Sequence, residues 1–132
     1  MRRHDRYIVL YNAGEWTGIA DDPGYSLYHL GATRHALAEL VLDHEVFVCV
    51  EGDCDRSFEY QHFVNGALVR DYAVDSPLYS DRKLVRDVGV GSPSELKILQ
   101  QDGDFVGLDV ADLLGIPTRV TPEALRIYAP PP

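Results

Sequence analysis

Apolar residues change period several times along the chain, and each change marks an element. Residues 6–11 are rich in β-branched and aromatic side chains and close on Asn12-Ala13-Gly14, which predicts a first strand. Trp16 to Ala20 extends the pairing, and Asp21-Asp22-Pro23-Gly24 has the composition of a turn, because Pro presets φ and Gly accepts positive φ. Ala36, Leu37, Leu40 and Val41 recur at helical spacing behind Thr33, a helix-capping residue type, with Arg34 and Glu39 left for solvent. From His44 to Val50 the pattern becomes a nearly continuous apolar run, as in a strand covered on both faces.

Asn65-Gly66, between Phe58–Val64 and Ala67–Val74, is the strongest local signal, since a type I′ turn needs positive φ at both central residues. A plain two-residue hairpin sets Val64 opposite Ala67, Phe63 opposite Leu68, His62 opposite Val69, Gln61 opposite Arg70 and Tyr60 opposite Asp71. One face then carries Phe58, Tyr60, His62, Val64, Ala67 and Val69. The other carries Glu59, Gln61, Phe63, Leu68, Arg70 and Tyr72, a mixed surface open to water or a partner.

Lys83 to Val90 reads as a further strand. Ser92-Pro93-Ser94-Glu95 matches a capping box, in which Ser92 accepts from a backbone amide and Glu95 reaches back, opening a short helix to about Gln101. Phe105 to Leu114 is amphipathic through Val106, Val110, Leu113 and Leu114 and stops at Gly115 and Pro117. Thr121-Pro122-Glu123 predicts a last turn of helix. The expected fold class is α+β, an antiparallel sheet of four to five strands with two to three helices packed on one face, forming one domain over residues 1–128 with a disordered Pro-rich tail at 129–132.

Composition narrows the function classes. At 132 residues, 45% apolar and 25% charged, the chain is long enough to bury one core and hides about two-thirds of its unfolded surface. The formal net charge of −9 repels phosphate backbones and anionic lipid, which argues against nucleic acid and membranes as partners. No stretch reaches the length of a membrane-spanning segment, and the basic start runs into a strand instead of a signal-peptide core, so the expected location is cytoplasmic. Cys49 and Cys54 are too few for a disulfide framework; a structural zinc on them would need two further ligands, for which His44 and His62 are the candidates, whereas Cys49 lies in the most apolar run, where cysteine serves as a small hydrophobe.

GxSxG, GxxxxGK[ST], HExxH and CxxC are absent, and Gly89-Val90-Gly91 lacks the third glycine of a dinucleotide loop. Neither a cofactor nor a metal is expected. The acidic residues gather in two turns, Glu15 with Asp21 and Asp22, and Glu51 with Asp53 and Asp55. Placed at one end of the sheet beside Trp16, Tyr25 and Tyr28, they would form a negative surface with aromatic anchors, the usual composition of a protein interface.

The run from Phe58 through Asn65-Gly66 to Arg70, followed by Ser92-Pro93-Ser94-Glu95 and by Val110-Ala111-Asp112-Leu113-Leu114-Gly115-Ile116, resembles small bacterial α+β proteins similar to the immunity proteins of polymorphic toxin systems. The resemblance covers about residues 46–116, and Asp75 to Gly91 departs from it. It implies a protein that binds a toxin and occludes its active site without chemistry of its own. The expectation is a non-enzymatic bacterial protein that binds a basic protein partner such as a toxin domain through Trp16, Asp21, Asp22, Tyr25, Asp53, Asp55 and Tyr72. Two other readings stay open: a small-molecule binder or enzyme using His62, Asp71 and Tyr60 in a pocket between sheet and helices, and an oligomeric subunit pairing through an edge strand or through Phe63, Leu68 and Tyr72.

Overall fold

The computed structural model describes residues 8–21, 38–52, 55–101, 103–118 and 125–128. The elements are β1 (Ile8–Ala13), β2 (Trp16–Asp21), α1 (residues 38–43), β3 (Val46–Glu51), β4 (Phe58–Val64), β5 (Ala67–Asp75), β6 (Lys83–Gly89), α2 (Pro93–Leu99), α3 (Val106–Leu113) and β7 (Leu125–Tyr128). The class is α+β, built on a four-stranded antiparallel sheet in the order β3-β4-β5-β6.

The first two strands do not join that sheet. β1 and β2 form a hairpin around Gly14, which takes a φ of +62°, and β7 pairs antiparallel with the other side of β1. The sequence signals a helical turn near Thr121 and no strand after it; β7 is a strand of four residues, too short to declare itself by alternation. Thr33, Asp22-Pro23-Gly24, Thr121-Pro122-Glu123 and the 129–132 tail lie outside the described residues.

Asn65 and Gly66 do take positive φ, +50° and +79°, and Val64 faces Ala67 and Phe63 faces Leu68 as a two-residue turn requires. The register then shifts by one. His62 faces Arg70, Gln61 faces Asp71 and Tyr60 faces Tyr72, leaving Val69 as the extra residue of a β-bulge. Because side chains alternate with period two, this single residue moves Arg70 and Tyr72 onto the face of Tyr60 and sends Asp71 and Ala73 to the opposite one. A second irregularity, at Val85 in β6, sets Ala73 opposite Arg86 and Val74 opposite Leu84.

The helix-covered face therefore reads Cys49, Tyr60, Tyr72 and Asp87 across the four strands. Phe58, Tyr60, Val74, Leu99, Val106 and Val110 form the buried core, with Phe47, Cys49, Tyr72 and Ile98 packed against it. Each such side chain contributes about 1.5–3 kcal/mol when fully buried. Phe47, Tyr60, Tyr72 and Phe58 stack in turn with centroids 5.7–6.1 Å apart.

Both helices of the second half start and stop by identifiable chemistry. Ser92 caps α2, its Oγ accepting from the Glu95 amide at 3.1 Å, with Pro93 in the first turn. The return half of the capping box is missing, because the Glu95 side chain turns into the core. α3 buries Val106, Gly107, Val110 and Ala111, while Leu113 and Leu114 stay exposed, so its inward stripe lies one step away from the expected one. It ends in a Schellman motif: Gly115 at φ +75° donates to Asp112 O, and Ile116 donates to Ala111 O at 2.9 Å.

Candidate functional site

The described polar groups gather in three places: a buried cluster on the helix face of the sheet, a second on the opposite face, and the junction of β3 with α3. The first begins with Arg70, which the Val69 bulge points inward. Arg70 is only 5% exposed. Its Nε donates to Glu95 Oε1 at 3.1 Å and its Nη1 donates to Asp87 Oδ1 at 2.5 Å, with further bonds to Val88 O and Gly89 O at 3.1 and 3.2 Å. The guanidinium also lies 5.2 Å from the centre of the Tyr72 ring.

Glu95, equally buried, accepts at the same Oε1 from the Tyr60 hydroxyl. Burial opposes the charge on Arg70, but its bonds to Asp87 and Glu95 outweigh that and hold its pKa above the ordinary value. Burial, followed by the bond to Glu95, pushes the Tyr60 phenol well above its usual range. Tyr60 is thus a fixed donor at neutral pH. Gly91 lies against the same pair, where a Cβ would come within 3.2 Å of Arg70 Nη2 and meet Glu95 Oε2.

On the opposite face Arg86 donates from Nη2 to Glu59 Oε2 at 2.6 Å and from Nε to both oxygens of Asp71 at 3.1 Å. Asp71 is 7% exposed, while the Arg86 side chain that it holds remains open to water on its outer side. The bond to Glu59 leads the causes that raise the Arg86 pKa, ahead of the opposing burial.

At the third place Glu51 reaches from β3 to the start of α3. Phe105 at the N-cap has left-handed backbone (φ +59°) and no capping bond of its own, and the Leu108 amide donates instead to Glu51 Oε1 at 3.0 Å. Cys49 Sγ also donates to Glu51 Oε1, at 3.6 Å. Burial raises the Glu51 carboxyl above the usual carboxylate range, and the Leu108 amide, Cys49 thiol and Gly107 amide bring it only partly back. Burial and the neighbouring Glu51 push the Cys49 thiol far above its usual range, so it holds its proton and is a poor nucleophile.

A carboxyl with a raised folded-state pKa binds more protons folded than unfolded, so its contribution to stability is full at low pH and falls as pH rises through the folded pKa. Glu51→Gln keeps an acceptor for Leu108 without a charge. The variant is therefore expected to gain stability relative to the parent between acid and neutral pH, measured by urea unfolding across that range. A relative loss on going to neutral pH would mean that the helix N-terminus favours the charge more than burial opposes it.

The residues expected to bind a partner are dispersed. Trp16, half-buried, opens β2, and Asp21 closes it. Asp22, Tyr25 and Asp53 lie outside the described residues. Asp55 is half-buried and organises its own loop, its Oδ1 accepting from the Ser57 amide at 2.8 Å. Tyr72 lies stacked on the helix-covered face between Phe58 and Tyr60, and not beside Phe63 and Leu68.

The pocket constellation is not assembled either. His62 Nε2 pairs with Glu45 Oε1 at 2.8 Å, Asp71 bonds Arg86 on the far face, and Tyr60 bonds Glu95. Sequence reading missed Arg70, Asp87, Arg86, Glu95 and Glu51 as interacting groups; Glu95 carried a signal as the last member of the capping box and Glu51 as a member of an acidic turn, and both pointed elsewhere. Among the described residues, no three His, Cys, Asp or Glu side chains converge as metal ligands would, and no helix is long and apolar enough to cross a membrane. The outer strand β6 exposes Leu84, Val85 and Val88; Lys83 and the irregularity at Val85 are features that keep an edge from pairing. Comparison of the chain with models of known protein families, with curated proteins and with solved structures finds no match.

Proposed function

We propose that this protein is a non-catalytic bacterial binding protein, acting in the cytoplasm as an immunity protein does by covering a basic protein partner with an acidic surface. The observation that carries the reading is how the charged groups are used. Among the described residues, those that acid–base chemistry would recruit are bonded inside the fold: Arg70 with Glu95 and Asp87, Arg86 with Asp71 and Glu59, His62 with Glu45. Asp43, Asp75, Asp81, Asp104, Asp109 and Asp112 stay exposed, in keeping with a net charge of −9.

A surface of one sign steers an oppositely charged protein and raises its association rate, and this attraction weakens with salt. Replacing the exposed Asp43, Asp81, Asp109 and Asp112 together by Asn is expected to slow association with the protein encoded by the neighbouring gene by roughly tenfold at low salt and to flatten its salt dependence. Stopped-flow association kinetics read both. An unchanged rate and salt slope, or no association at all, would sink this reading.

A further inference from the structure

We propose that the adjacent residues Arg70 and Asp71 form a charge key that places the β-bulge at Val69 and so fixes the register of the β4–β5 hairpin. The turn and the core leave that position open. The type I′ turn pairs Phe63 with Leu68, and the aromatic stack pairs Tyr60 with Tyr72. Between these two fixed pairs β4 offers two residues, Gln61 and His62, and β5 offers three, Val69, Arg70 and Asp71. One of the three must be spare.

Apolar burial alone selects the wrong one. It would keep Val69 paired against the helix face and extrude a charged residue. The chain does the reverse: Val69 is 42% exposed, while Arg70 and Asp71 are 5% and 7% exposed. Electrostatics accounts for the inversion. On the helix face the buried Glu95, with the half-exposed Asp87 at its edge, supplies negative charge that calls for a cation, and on the other face Arg86 takes an anion beside Glu59. With Val69 spare, Arg70 meets Glu95 and Asp71 meets Arg86. With Arg70 spare, Glu95 loses its buried cation. With Asp71 spare, Arg70 falls on the Arg86 face and meets like charge. Extruding Arg70 therefore breaks the helix face, and extruding Asp71 breaks both faces together.

The test exchanges the two charges, combining Arg70→Asp with Asp71→Arg, and reads cross-strand backbone nuclear Overhauser contacts in the full chain. The bulge is expected to migrate so that His62 contacts Val69 instead of residue 70, while the Tyr60–Tyr72 contact persists. A swapped chain that keeps the contact of His62 with residue 70 overturns the proposal. A second variant carries no key and no buried charge left alone: Arg70→Met, Asp71→Asn and Glu95→Gln together. Replacing a buried ion pair by matched neutral groups is commonly tolerated. This variant is expected to show more than one set of resonances for residues 69–71, as the bulge spreads over the positions open to it. A single set with Val69 still extruded would show that the charges follow the register and do not choose it.

Discussion

Arg70→Ala is expected to cost about 3–5 kcal/mol of folding stability, because it leaves the Glu95 carboxylate buried beside Tyr60 without its cation. In a chain of this length the loss corresponds to a fall in Tm of roughly 10–20 °C. The magnitude is not the worth of the ion pair. Arg70 also ties β6 to β5 through Asp87 and two backbone carbonyls, and its removal releases those acceptors at the same time. Removing both charges by Arg70→Met with Glu95→Gln should recover most of the stability, since neither variant side chain then demands a counter-ion. Thermal and urea unfolding of the two variants separate the terms. A cost below about 1 kcal/mol for Arg70→Ala would mean that water reaches Glu95 and screens it.

The second large effect is expected at Gly107. A Cβ on this residue would stand 2.6 Å from Cys49 Sγ and 2.7 Å from Glu51 Oε1, so those side chains or the first turn of α3 must shift. Overpacking of this kind costs about 1–3 kcal/mol. Displacing Glu51 from the Leu108 amide adds a lost cap of about 1 kcal/mol. Set against the roughly 1 kcal/mol of helix propensity gained when a helical glycine becomes alanine, Gly107→Ala is expected to destabilise by about 1–3 kcal/mol, and Cys49→Ala in the same chain should restore part of the loss by opening room for the methyl group. A double-mutant cycle by urea unfolding measures the coupling. Strictly additive single effects would show that α3 is not seated on Cys49.

The parts of the fold visible in the sequence are those governed by local chemistry. Asn65-Gly66, the Ser92 cap with Pro93, and the Gly115 stop each rest on a backbone conformation or a cap that few residue types suit, and each is where expected. The site was not visible, and the Val69 bulge is the reason. A spare residue in a strand has no composition of its own, and it inverts every side chain beyond it. Tyr72 thus leaves the surface where it was expected to anchor a partner and joins the core, and Arg70 arrives beside Glu95. Glu95 itself is misread because a capping residue and a buried carboxylate share the same letter; only the distant Arg70 decides between them. Asp55 is a turn residue in both readings, and its bond to Ser57 gives it a local task whether or not a partner binds there.

The reach of Glu51 to the Leu108 amide has a bearing on the order in which the chain acquires its shape. The two residues are 57 positions apart, and α3 has eight residues, too few to persist as a helix in water unaided. Its first turn lacks a cap until β3 is in position to provide one. On that account α3 borrows its footing from the sheet: residues 106–113 keep an ordered first turn only where β3 is in place to receive the Leu108 amide, so loosening β3 would fray a helix far along the chain.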